Sequence, residues 1–481
     1  MAVTKEGMAY RIAAGYKTSG EAVEFGSVVI DGQPYPACRV RADLGSLTQH
    51  GIVLGATGGG KTKTLQLIAE QLSDAGVPVV MTDVKGDLQG LAQEGFYTDE
   101  IVDRAISSGC DSWDSTSFPV EFATLGSEGH GIPIRASVRS FGPLLLAKVL
   151  EINDTQESVL RLIFGEAVQQ ELPLDTLEDL REAVSAVSRQ NDDDDLGFIS
   201  KATASVIMRA IRNLENDGGR TFFGTPGFDP RDLMRVTDDP QPRGYITLFE
   251  LEDRRPVLFA IFMMWMLEKL TEILPEAGVV DKPKLVMILD EAHLLFNGAS
   301  KAFVEQMIST VRLVRSKGVG LILCSQTAKS IPGEVMEQMG FRVQHALRVR
   351  TPEAHRALAH TVLTFPETDV YDLRKEIPAL RKGEAVVTAL TPDGGETPVA
   401  ETKIRPPRSH MGPIGNNAVR RIVKASELYD KYHVEPEPEP EPSHETPGEP
   451  IRLSNHLPPY KSLSFDELLA MSDPNHQPIK E

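Results

Sequence analysis

The chain has 481 residues, 25% of them charged, with 50 basic against 69 acidic side chains and a net charge of −19. That length supports a large core and two to three domains, while the acidic balance opposes a surface devoted wholly to nucleic acid. Three cysteines without a CxxC pair argue against a disulfide framework or a cysteine zinc site, and fit a reducing, cytoplasmic setting.

Residues 1–45 hold no apolar signal core. Short apolar runs such as F-G-S-V-V-I (25–30) and the turn D-G-Q-P predict a short N-terminal β segment. From 46 to 102 the pattern changes. G-I-V-L (51–54) predicts a strand, K-T-K-T-L-Q-L-I-A-E-Q-L (61–72) has helical spacing of Leu65, Ile68 and Leu72, and V-P-V-V-M-T-D (77–83) predicts a second strand. This is the start of a βαβ unit with buried parallel strands.

Between the first strand and the helix stand Gly55, Ala56, Thr57, Gly58, Gly59, Gly60, Lys61 and Thr62. Four glycines in eight positions carry a large entropic cost. The pattern G-x-x-x-x-G-K-[ST], in that strand-to-helix context, supplies the reason. Backbone N–H groups from Gly55 through Lys63 would converge on phosphate oxygens at a helix N-terminus. Lys61 would neutralise the β- and γ-phosphates of ATP, and the Thr62 hydroxyl would ligate Mg²⁺. Next, T-D-V-K-G-D (82–87) places Asp83, Lys85 and Asp87 either in support of that site or in a simple capped turn.

Residues 103–275 predict a mostly helical insertion. Asp154 and Glu157 have the spacing of a capping box ahead of a helix reaching about Gln170. Further helices are predicted over 175–189 and 200–215, an acid run lies at Asp192–Asp195, and Y-I-T-L-F-E (245–250) restores strand character. The apolar run Val257–Leu267 falls well short of the roughly 20 residues of a spanning helix. It predicts a buried core helix and no membrane insertion.

The core resumes over 276–413. K-L-V-M-I-L-D (284–290) predicts a strand whose C-terminal end carries Asp290 and Glu291, where open α/β sheets bind ligands. Asp290 would hold Mg²⁺ through water, Glu291 would polarise the attacking water, and His293 would act as a local hydrogen-bonder. A third strand, G-L-I-L-C-S (320–325), delivers Gln326 to feel the γ-phosphate or orient the water. Before it, Arg312 and Arg315 share one helix face. In a ring either would reach a neighbour's γ-phosphate as an arginine finger. Arg315 is preferred, with Arg348 and Arg350 competing. R-V-Q-H-A-L-R-V (342–349) predicts another strand, and 384–390 with 397–402 a β-hairpin. Lys403 to Lys424 is basic and free of acids, with a basic C-terminal helix over 414–433. Residues 434–481 form a Pro/Glu-rich linker and acidic tail that cannot build a core, with a weak helix at 464–471.

Taken together, G-A-T-G-G-G-K-T-K-T-L, D-V-K-G-D-L, D-E-A-H-L-L-F, V-R-L-V-R-S-K-G-V-G, S-Q-T and R-V-Q-H-A-L-R resemble the HerA–FtsK superfamily of P-loop ATPases, and among them the bacterial HerA-like proteins with a helicase HerA-like C-terminal domain. The resemblance runs from about Leu47 to Pro413. It implies an α/β, RecA-like core, Mg-ATP hydrolysis at subunit interfaces and a hexameric homo-oligomer. Relatives translocate on double-stranded DNA. HerA proper recruits a nuclease partner through an N-terminal β-barrel, for which residues 1–45 are too few. The acidic charge and missing DNA-recognition module keep open an ATPase that acts on protein clients, as a secretion or assembly motor.

Overall fold

The computed structural model describes residues 4–126, 129–189, 200–251, 256–297, 301–391 and 394–433. The Asp192–Asp195 run, the tail with its weak helix, and Pro392–Asp393 of the hairpin turn lie outside the described residues.

Twelve strands among the described residues form one sheet: β1 (Ala22–Ile30), β2 (Gln33–Asp43), β3 (Gly51–Leu54), β4 (Val79–Asp83), β5 (Val120–Leu125), β6 (Ile132–Ile134), β7 (Ile246–Glu250), β8 (Leu285–Leu289), β9 (Val319–Ser325), β10 (Phe341–His345), β11 (Glu384–Thr388) and β12 (Ala400–Ile404). Their order is β2-β1-β12-β11-β10-β3-β9-β8-β4-β7-β5-β6. From β10 to β6 every neighbour is parallel; β11, β12, β1 and β2 extend the sheet antiparallel. The continuously apolar sequences of β3, β4, β8 and β9 are buried along their full lengths, as strands covered on both faces must be.

Two expectations change. The N-terminal segment opens with a helix, Lys5–Ala14, and its β1–β2 hairpin is no separate lead-in, because β1 pairs with β12. The D-G at its turn takes positive φ at both Asp31 and Gly32, as a tight hairpin requires. In 103–275 the helices Val138–Val149, Asp154–Gln169, Leu177–Arg189 and Lys201–Leu214 match the helical reading, yet β5, β6 and β7 from the same stretch pair into the sheet. β7 is the strand expected at 245–250, whereas β5 and β6 do not read as strands in the sequence, being short, with Pro119 just before one and Pro133 inside the other. The capping box there is Asn153 with Gln156, one residue earlier than the acidic pair suggested.

The apolar run is the helix Pro256–Ile273, buried from Phe262 to Leu267. Phe262 lies 4.8 Å from Phe249 of β7, and Trp265 donates its indole N–H to Ser140 Oγ at 3.0 Å. Packing accounts for its composition. Among the described residues, no helix is long and apolar enough to cross a membrane.

His50, at the entry to β3, fixes the packing beneath the sheet. Its Nδ1 accepts from Leu321 N–H at 3.1 Å, so Nε2–H donates to Val311 C=O at 2.9 Å. Both nitrogens are occupied in the neutral ring, and burial pushes its pKa down to about 4 from the ordinary 6.5. The unfolded chain therefore takes the proton first, and this residue's contribution is lost as pH falls from about 6.5 to 4. A 2.5-unit gap corresponds to about 3 kcal/mol. Glu70 and Glu401, both raised to about 7 by burial, have the opposite slope and mask it in the parent. The measurement is therefore the difference between parent and His50→Gln in denaturant unfolding. The parent's advantage should shrink by about 3 kcal/mol between pH 7 and 4; a gap constant with pH would refute the assignment.

Candidate active site

The parallel register brings the sequence motifs to one edge. Leu54 of β3 is level with Ser325 of β9 and Gln344 of β10, while Leu289 of β8 is level with Leu323 of β9 and Thr82 of β4. The loop after Leu54, Gln326 after Ser325, Asp290 after Leu289 and Lys85 after Asp83 thus leave the sheet side by side. Gln326 is exposed at that edge.

The phosphate loop has the backbone its glycines permit. Gly55 takes φ +149°, and a Cβ there would lie 2.5 Å from His345 Cβ. Gly60 takes φ +119° as the N-cap of the helix Lys61–Asp74. Both positions disfavour side chains, and the loop closes on its neighbours: Ala56 N–H donates to Ala346 C=O at 2.8 Å and Gly59 N–H to Ala56 C=O at 3.1 Å. Lys61 Nζ donates to Gly55 C=O at 2.8 Å, folded over the loop. Beneath lies a residue the sequence reading did not single out. His345, fully buried at the end of β10, donates from Nδ1 to Glu384 C=O and accepts at Nε2 from the Thr64 hydroxyl, each at 2.9 Å. Burial pushes its pKa to about 4, so it stays neutral and adds no charge behind the loop.

Asp290 and Glu291 are 8% and 7% exposed. Asp290 Oδ1 accepts the Glu291 N–H at 2.9 Å, and the Cys324 thiol hydrogen-bonds the same carboxylate. Burial raises the Asp290 pKa above the usual carboxylate range, and raises the Cys324 thiol well above its own, so the thiol remains a donor. Glu291 sits at φ +50°, an unfavoured conformation for a residue with a side chain. Burial pushes its carboxyl up, but the Lys85 hydrogen bond and charge, with His293 and Lys61, outweigh it and leave the pKa below the ordinary value. Lys85 Nζ holds Oε1 at 2.8 Å. Oε2 is buried, lies 3.4 Å from His293 Nδ1, and accepts no hydrogen bond among the described residues.

The D-V-K-G-D turn divides its labour. Asp83 accepts from Lys85, Gly86 and Leu88 N–H and is a turn cap. Lys85 instead faces the site, and Asp87 is exposed.

Among the described residues, no group of three His, Cys, Asp or Glu could hold a metal ion alone. The Thr62 hydroxyl and the Asp290 carboxylate are the hard oxygen donors that Mg²⁺ prefers, and Mg²⁺ ordinarily completes its shell with phosphate and water. The buried Asp290, with its raised pKa, is a group that a nearby cation would stabilise as the anion. The residues fit the ion.

The arginines separate into two sets. Arg348 donates to this chain's own Thr57 C=O at 3.3 Å, a contact to the phosphate loop from within the protomer; Arg350 is exposed nearby. Arg312 and Arg315 lie exposed on the helix Lys301–Ser316, which feeds the opposite end of β9. Arg315 donates to Gln49 Oε1 at 3.0 Å, below the start of β3. Six residues of extended chain put it about 20 Å from the phosphate-loop edge.

The first half of the acid-free basic stretch is neutralised by acids from elsewhere. Lys403 faces Glu384 at 3.5 Å, Arg405 pairs with Glu24 at 3.0 Å, and Arg408 with Asp74 at 2.6 Å. Arg420, Arg421 and Lys424 remain exposed on the helix Asn416–Ala425.

Comparison with known proteins places this geometry. The DNA double-strand break repair helicase HerA of Sulfurisphaera tokodaii is 24% identical over 356 residues, covering 72% of this chain and 64% of that protein. The chain thus matches less than two thirds of that relative's length. Solved structures of the plasmid coupling protein TrwB share the fold at 14% identity. Its complex with ADP and Mg²⁺ gives a TM-score of 0.53 and its complex with a non-hydrolysable ATP analogue 0.54, each covering 84% of this chain and 95% of the other. That likeness is to a RecA-like P-loop ATPase core with the mixed, mostly parallel sheet described above. Residues 31–445 match the helicase HerA-like C-terminal family, and the chain belongs to that family of P-loop ATPases.

Proposed function

We propose that the chain is an ATP-hydrolysing motor that assembles as a hexameric ring and translocates on double-stranded DNA. The observation that carries the ATPase is the meeting of Lys61 with the buried pair Asp290 and Glu291 at one edge of the parallel sheet. In this reading the N–H groups of residues 55–63 other than those of Ala56 and Gly59, which bond backbone carbonyls, cradle the phosphates, and Lys61 leaves the Gly55 carbonyl to neutralise them. Thr62 and Asp290 hold Mg²⁺, which supplies charge neutralisation to the phosphate oxygens when bound. Glu291 Oε2, buried and without a hydrogen bond among the described residues, accepts the proton of the water that attacks the γ-phosphorus, and the P–O bond to ADP breaks. Gln326 orients that water. Lys85 holds the other carboxylate oxygen, so the side chain cannot swing away.

Family membership supports DNA as the polymer, together with Arg420, Arg421 and Lys424, whose spacing of three and four residues puts them on one helix face. The test is steady-state ATP hydrolysis with and without linear double-stranded DNA, with Glu291→Gln as the blank. Turnover should rise several-fold with DNA at low salt, and the stimulation should fade steeply between about 50 and 200 mM salt. The second reading, a motor acting on protein clients, is favoured by the ion pairing that consumes Lys403, Arg405 and Arg408 and by the net charge of −19. Hydrolysis indifferent to DNA at every salt concentration would leave that reading standing.

A further inference from the structure

Beside the phosphate loop opens a cavity of about 420 Å³. Gly60 and Lys63 line it, so it is continuous with the loop. Its other walls come from sequence the motifs do not reach: Phe96 and Trp113 on one side, and a strap following β12 that includes Pro407 and His410. Its volume lies in the range of small-ligand sites, about 300–1,000 Å³.

The strand order fixes which end of a nucleotide would enter it. Lys382 and Gly383 precede β11 and Ile404 ends β12, so this cavity lies on the β10–β11–β12 side of the loop. Asp290 and Glu291 follow β8, on the other side. A triphosphate in the loop with its γ end toward Glu291 must send its nucleoside the other way, into this cavity.

The walls suit that occupant. Phe96 is 68% exposed although it is a large ring, and it is held edge-on to His410 with centroids 5.2 Å apart. Trp113 donates its indole N–H to Pro407 C=O at 3.1 Å. The strap is fastened to the helix that begins at Lys61: Gln66 donates to His410 C=O at 2.8 Å, and Glu70 accepts the N–H groups of Arg408 and Ser409 at 2.8 and 2.9 Å. Phosphate loop and strap therefore form one unit.

We propose that this cavity binds the base and ribose of the nucleotide, with Phe96 as its stacking surface. The proposal rests on the reading of the phosphate loop as a nucleotide site. The experiment compares ATP with inorganic tripolyphosphate in calorimetric titrations of the full chain, its Phe96→Ala variant and its Phe96→Trp variant. Phe96 is exposed, so neither substitution threatens the fold. Parent protein should bind ATP at least about 10-fold more tightly than tripolyphosphate. Phe96→Ala should lose about 5- to 100-fold for ATP, the range of base–aromatic stacking, with tripolyphosphate unchanged, and Phe96→Trp should retain ATP affinity. Equal parent affinity for ATP and tripolyphosphate, or a Phe96→Ala loss shared by both, would overturn the nucleoside assignment and leave the phosphate loop intact. A parent that binds neither would overturn the nucleotide site itself, and the cavity's role with it.

Discussion

Replacing Glu291 by Gln should slow ATP turnover by about 10²- to 10⁴-fold, the usual worth of a general base, while ATP stays bound. The substitution is close to isosteric. The amide oxygen still accepts from Lys85, whose ammonium lies 2.8 Å from Oε1, and the left-handed backbone at this position is unchanged. What disappears is the capacity of Oε2 to take a proton. Phosphate contacts come from the loop and Lys61, which follow β3, two strands away from β8, and not from the Glu291 carboxylate. Single-turnover hydrolysis and equilibrium ATP binding, measured on the same preparation, separate the two effects. Loss of binding equal to the loss of rate would show that Glu291 shapes the pocket. Turnover within a few-fold of the parent would remove it from the proton-transfer step and turn attention to Asp290, whose pKa is raised by burial.

The parts of this site legible in the sequence are those where backbone and side chain are specified together. A glycine loop between an apolar strand and an amphipathic helix has one structural solution, and Asp290–Glu291 after five apolar residues had to emerge at the C-terminal end of a buried strand. Parallel pairing then did the rest, because adjacent parallel strands in register deliver their following residues to one edge. The partners that sequence reasoning missed are contacts between distant segments. Lys85 and Glu291 are 206 residues apart, and Thr64 and His345 are 281 apart. Spacing says nothing about such pairs; only the strand order β10-β3-β9-β8-β4 does. Cys324 carried a signal that was available, since it occupies the position just before the end of a strand beside the acid pair. The pairing of the first half of the basic stretch was hidden for a similar reason. The run 403–424 contains no acid, but β1, β11 and the phosphate-loop helix bring Glu24, Glu384 and Asp74 to Arg405, Lys403 and Arg408. Strands β5 and β6, short and placed among helices, gave too little period-2 pattern to stand out.

Arg315→Ala should spare ATP binding and cost about 10³- to 10⁵-fold in turnover, the worth of an arginine finger. The geometry decides how that loss should arise. Arg315 cannot serve the phosphate loop of its own protomer, because it hangs below β3 at Gln49, about 20 Å of strand from the loop edge. Arg348 is within its own protomer's reach, at Thr57, and is therefore a poor candidate for a contribution in trans. Arg315 is exposed with one hydrogen bond to a glutamine, so its removal should leave stability within about 0.5 kcal/mol. The decisive measurement is a mixture. Subunits carrying Arg315→Ala keep a complete site but offer no finger, and subunits carrying Glu291→Gln have a dead site but an intact finger. In a mixed ring, roughly a quarter of the interfaces at equal proportions join a complete site to an intact finger by head-to-tail contact. Mixing should then restore activity that neither variant has alone. No recovery, with rings shown to have exchanged subunits, would mean that Arg315 acts within its own chain or not at all, and Arg312, one helical turn earlier on the same exposed face, would be the next residue to replace.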